Sequence, residues 1–171
     1  MNKLYPLFLT LIFNTKLLFS QEEVKKDSTV IVSNVELDWM PFYEDALDKA
    51  KKENKLVLVY FTGSDWCGPC KVLDKELFHT EKFKEFSDKE LVLLEVDIPR
   101  NQDILSDEKI SENLYLQRKY SVKTFPTILF LNHKGRKVSE KKGYILPEYY
   151  FPYIQSEVYK KKERLFNLSF F

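Results

Sequence analysis

The chain has 171 residues, 44% of them apolar and 31% charged, a globular balance that excludes global disorder and fits one domain with tails. Basic and acidic residues nearly cancel, 27 against 26, so no net field points to nucleic acid. Four glycines, seven prolines and two cysteines exclude collagen-like, low-complexity and multi-disulfide chains.

Residues 1–20 carry Lys3, an apolar run from Leu4 to Phe13, and the small residue Ser20. This pattern predicts a secretory signal peptide cleaved near Ser20. The protein is therefore expected outside the cytoplasm, in the periplasm of a bacterial host, or anchored to the membrane if the segment stays uncleaved. Residues 21–37 read as a polar leader with a first short strand drawn from Val30–Val32 and Val35–Leu37. A domain is expected over 38–163, followed by an apolar tail over 164–171.

Trp39, Phe42, Ala46, Leu47 and Ala50 recur at helical spacing, and Asn54 suits a helix C-cap. Leu56–Phe61 is a continuous apolar run of strand length. A turn over Thr62–Asp65 leads to a helix over Cys67–Phe78. Thr80 suits the N-cap of a short helix reaching Phe86. Leu91–Ile98 is a second buried strand, stopped by Pro99. After a polar loop, Ile110 to Tyr120 reads as a helix. Thr127–Leu131 and Arg136–Tyr144 form a hairpin about Asn132–Gly135. Pro147 opens a last helix whose end is marked by Lys160–Lys162. Strands alternating with helices predict an α/β domain with a mixed central sheet covered on both faces.

Cys67-Gly68-Pro69-Cys70 lies between a buried strand and a helix. A thiolate is the attacking species in thiol–disulfide exchange, and a helix N-terminus stabilises it. The two-residue spacing brings the second sulfur within disulfide reach, so Cys70 can resolve a mixed disulfide made by Cys67. A structural disulfide across so small a loop removes little unfolded-state entropy. A zinc site would need His79 and His133 as its remaining ligands, and their spacing is poor. A cysteine nucleophile served by a histidine leaves the second cysteine unexplained. Both histidines read as solvated.

Asp65-Trp66-Cys67-Gly68-Pro69-Cys70-Lys71 resembles the active-site segment of the thioredoxin family. Thr124-Phe125-Pro126-Thr127 is similar to that family's cis-proline loop. The resemblance covers residues 38 to 162 and is nearer to exported single-domain members. It implies the thioredoxin fold, with Cys67 as nucleophile and Cys70 as resolving cysteine. It also implies that Trp66, Gly68 and Pro69 form the active-site loop, with Phe125 and cis Pro126 facing the substrate. The family's buried aspartate falls here on Tyr60 or Phe61, neither of them an acid. Glu95, inside an apolar run, is either the replacement proton acceptor or an outward-facing glutamate.

The activity implied is thiol–disulfide exchange with no metal and no cofactor beyond the Cys67–Cys70 disulfide. Reduction of protein disulfides is the leading reading; disulfide oxidation or isomerisation, and peptide binding without catalysis, are the alternatives. The expected partners are protein thiols and disulfides and a membrane or soluble electron donor, with no nucleic acid, and the protein is expected to be a monomer.

Overall fold

The centre of the sheet is β2 (Leu56–Thr62), a strand with all seven residues buried. A strand without a solvated face needs helices on both sides. The structure, a computed structural model that describes residues 35–168, supplies them. β2 runs parallel to β3 (Leu91–Asp97) and antiparallel to β4 (Thr127–Leu131). A two-residue strand, β1 (Trp39–Met40), is parallel to β3, and β5 (Lys137–Lys142) is antiparallel to β4. The order is β1-β3-β2-β4-β5, the mixed sheet expected from the alternation of elements.

Successive side chains on each strand point to opposite faces and build two cores. Leu56, Leu58 and Tyr60 of β2, with Leu91 and Leu93 of β3, pack toward α2 (Gly68–Leu73), α3 (Glu81–Glu90) and α5 (Pro147–Leu168). Val57, Val59 and Phe61, with Val92, Leu94 and Val96, pack toward α1 (Tyr43–Glu53) and α4 (Asp107–Lys119). Local chemistry sets helix ends at the expected places. Asn54 caps α1 in the left-handed region, and the Thr80 hydroxyl accepts the Phe83 N–H at 3.2 Å to start α3.

Several boundaries differ from expectation. Val35–Leu37 is irregular, and the first described strand is Trp39–Met40. Trp39 is thus not in α1: its ring packs in the α2-side core, 6.3 Å from Tyr60 and 5.6 Å from Phe78. The helix expected over 67–78 is α-helical only to Leu73. One π-helical turn, Asp74–Phe78, follows, closed by the His79 N–H on the Asp74 carbonyl at 2.8 Å. This wide turn buries two consecutive apolar residues, Leu77 and Phe78. α3 continues past Phe86 to Glu90, with Ser87 buried and its hydroxyl bonded to the Lys84 carbonyl.

α5 does not stop at Lys160–Lys162 but includes residues 164–168 of the expected tail. The lysines are mid-helix: Lys161 reaches the Asn54 carbonyl, and Lys162 pairs with Glu90 at 2.7 Å. The expected signal peptide, the leader up to residue 34 and residues 169–171 lie outside the described residues. Among the described residues no helix is long and apolar enough to cross a membrane.

At one end of the sheet, Gly135 closes the β4–β5 turn with φ +69°. A Cβ here would fall 2.1 Å from the Tyr43 hydroxyl. That hydroxyl is bonded to Tyr120 at 2.8 Å, and Tyr120 donates to the Gly135 carbonyl at 2.9 Å. Gly135→Ala should therefore lower stability by about 1–3 kcal/mol, from left-handed strain and loss of the tyrosine pair. Urea unfolding would read this as a lower midpoint with unchanged slope.

Candidate active site

β2 delivers the chain to the site. Gly63 follows it, buried, and the Cys67 N–H donates to the Gly63 carbonyl at 2.7 Å. The absence of a side chain at Gly63 makes room for Trp66: a Cβ there would lie 2.4 Å from the indole ring. Cys67 is the N-cap of α2, and its sulfur accepts the Cys70 N–H at 3.3 Å. Pro69 sits in the first turn, where its missing N–H costs nothing. Cys67 and Cys70 are joined as a disulfide with Cα atoms 5.2 Å apart, 3% and 0% exposed respectively. Gly68 and Pro69 stand exposed between them.

Trp66 is half-buried. Its Nε1–H donates to the Ile98 carbonyl at 2.8 Å, and its ring meets Phe125 edge-on at 5.3 Å. The Phe125–Pro126 peptide bond is cis. Pro126 is buried, and its carbonyl accepts the Gly143 N–H at 2.8 Å. Trp66 thus both packs and flanks, tying the loop before the disulfide to the residue before the proline.

Below the disulfide the two candidates for the missing aspartate separate. Phe61 faces the α1–α4 core, while Tyr60 faces α2 and donates its hydroxyl to the Cys70 carbonyl at 3.3 Å. Glu95 is the register partner of Tyr60 across β2 and β3. It shares a face with Leu91 and Leu93, so it points to the α2 side of the sheet, where it is partly buried. Burial, then the Asp97 and Asp74 carboxylates, push its pKa up to about 7. Asp74, on the π turn, also sits above the usual carboxylate range through burial, opposed by its bond to Tyr60. The same burial, with Asp74 beside it, raises the Tyr60 phenol. Asp97 is buried and held by the Ser64 N–H at 2.8 Å and the Ser64 hydroxyl at 2.6 Å. His79 and His133 are exposed.

The sequence points to Cys67, Cys70 and Glu95 but not to Asp74, Asp97 or Arg100. Asp74 lies one helical turn beyond Cys70, a spacing that shares a helix face and could have raised it. Asp97 has the sequence appearance of an ordinary strand end. Arg100 lies in a loop without periodicity, and its guanidinium is 5.3 Å from the Trp66 ring.

Residues 43–156 match the family model of the thioredoxin-like domain. The disulfide bond reductase DsbH of Chlamydia pneumoniae is 29% identical over 120 residues, covering 70% of each chain. A thioredoxin of Pongo abelii is 37% identical over 103 residues, covering 59% of this chain and 77% of its own. A solved DsbH oxidoreductase superposes with a TM-score of 0.66 at 28% identity, covering 72% of this chain and 85% of that one. The doubly covered sheet, the capped Cys67–Cys70 pair and these likenesses agree: the chain belongs to the thioredoxin-like family of thiol–disulfide oxidoreductases.

Proposed function

We propose that this protein reduces protein disulfides in an extracytoplasmic compartment, reached through a signal peptide over residues 1–20. The observation that carries the exchange chemistry is the capping of α2 by the Cys67 sulfur, with the Cys70 N–H directed at it. Such a position favours the thiolate over the thiol. The Gly-Pro dipeptide between the cysteines, and the reductase name of the Chlamydia pneumoniae relative, favour the reducing direction.

In the reduced protein, the Cys67 thiolate attacks one sulfur of a substrate disulfide. A Cys67–substrate bond forms, the substrate S–S bond breaks, and the leaving thiolate takes a proton. Cys70 then loses its proton and attacks Cys67. The Cys67–Cys70 bond forms, and the second substrate sulfur leaves as a thiolate that is protonated in turn. The substrate gains two electrons and two protons, and the protein is left as the disulfide. A dithiol electron donor, membrane-bound or soluble, restores the reduced form. Phe125 and Pro126 face the substrate beside Trp66. Glu95, with Tyr60 and Asp74 between it and the Cys70 turn, accepts the Cys70 proton.

Equilibration of the purified protein with defined thiol–disulfide buffers tests the direction. A potential near about −270 mV is expected, and one near about −120 mV would make the protein an oxidant and overturn the reductase reading. Cys67→Ser should abolish turnover while leaving the fold. Retention of disulfide-reducing turnover in this variant would remove Cys67 as nucleophile.

Glu95→Gln should slow turnover about tenfold or more and erase the inflection near pH 7 in the rate profile. An unchanged profile would exclude Glu95 as the acceptor. Stability supplies an independent readout. The folded pKa of Glu95 lies above its unfolded value of about 4.3, so the folded state binds more protons between the two. The Glu95 contribution to stability should therefore be lost as pH rises from about 4 to about 7, at no more than about 1.4 kcal/mol per pH unit. Urea midpoints of Glu95→Gln should fall less steeply with pH than those of wild type, the remainder coming from Asp74.

A further inference from the structure

Three cations lie on the segments that frame the disulfide, and the carboxylate of the loop before Cys67 has its oxygens already engaged. Arg100 lies over the Trp66 ring. The Lys71 amine donates to the Asp65 carbonyl at 3.2 Å. Lys123, two residues before Phe125, is exposed. Asp65 is the carboxylate, and backbone groups occupy its oxygens: the Asn101 N–H at 2.9 Å and the Arg100 N–H at 3.0 Å. Those bonds, the one from Asn101 foremost, hold the Asp65 pKa below the ordinary range more than the Arg100 charge does.

The same contacts fix where Arg100 stands. Trp66 Nε1–H on the Ile98 carbonyl, Ser64 on Asp97, and Asp65 on the Arg100 and Asn101 N–H groups clamp residues 97–101 to residues 64–66. The Arg100 backbone is thereby held against the loop that leads directly into Cys67. Its guanidinium is exposed, and none of the ion pairs among the described residues engages it. A guanidinium laid on an indole is pre-oriented and keeps its outward N–H donors for a carboxylate. The chain as a whole is nearly neutral, so this is a local feature.

Resting on the reductase reading, we propose that Arg100 is a specificity residue. With Lys71 and Lys123 it selects disulfides whose cysteine is flanked by aspartate or glutamate. The peptide lies along the Trp66–Phe125 edge, and its flanking carboxylate meets the guanidinium. Electrostatic selection of this kind acts on capture and weakens with salt.

The test compares two disulfide-linked peptide series that differ only in the residues flanking cysteine, Asp/Glu in one and Lys in the other. The full chain is used, with dithiothreitol as donor, and kcat/KM is read for each series. Wild type should favour the acidic series about tenfold at low salt, and the preference should shrink in high salt. Arg100→Gln should cut the ratio to about threefold or less, while Arg100→Lys should keep most of it. Equal turnover of both series by wild type, or a full preference retained by Arg100→Gln, would overturn the specificity role and leave the reductase reading intact. No turnover of either series would overturn the reductase reading and the proposal with it.

Discussion

The site depends on the burial of β2 on both faces. Helices cover this strand on either side, and its pairing with β3 and β4 fixes its height in the sheet. Its C-terminal end therefore has little freedom. Gly63 emerges at a set point, Trp66 folds over it, and Cys67 begins a helix that packs back on Tyr60. The sulfur chemistry is held by a strand that carries none of the reacting atoms.

The polar groups beneath the disulfide follow from the same geometry. Tyr60 and Glu95 are neighbours in register on the α2 side of the sheet, and the π turn brings Asp74 to the same corner. Partial burial raises Glu95 and Asp74 alike, and the Asp97 carboxylate, which faces both, adds to each shift because an ionised neighbour disfavours a second charge. In place of a lone acid below the resolving cysteine there is a phenol touching the Cys70 carbonyl, with carboxylates around it.

The parts legible in the sequence were those with a local cause. β2, β3 and β4 were visible because strands covered on both faces leave long apolar runs, broken in β3 only by Glu95 and the terminal Asp97. Asn54 and Thr80 were visible because helix ends need particular side chains. The cysteine pair was visible from its spacing and its place between strand and helix. What escaped had a non-local cause. β1 is two residues long, and Trp39 happens to fall at helical spacing from Ala46. Glu95 shares the parity of Leu91 and Leu93, but its raised pKa depends on burial and on Asp97 and Asp74, acids brought to it by the fold. Arg100 gains its meaning from Trp66, across a loop whose sequence has no period.

The π turn at Asp74–Phe78 has a further consequence. A regular helix rotates about 100° per residue, which would spread Leu77 and Phe78 around the axis. The wide turn slows that rotation, and both side chains enter one core. It also resets the angular phase between the two halves of the segment. The upstream half is oriented by the sulfurs, and the downstream half by the tilted contact of Phe78 with Tyr60 and its edge-on contact with Phe83. The extra residue lets one continuous segment meet two separate angular demands, Cys70 at the disulfide and Leu77 with Phe78 in the core beside Tyr60.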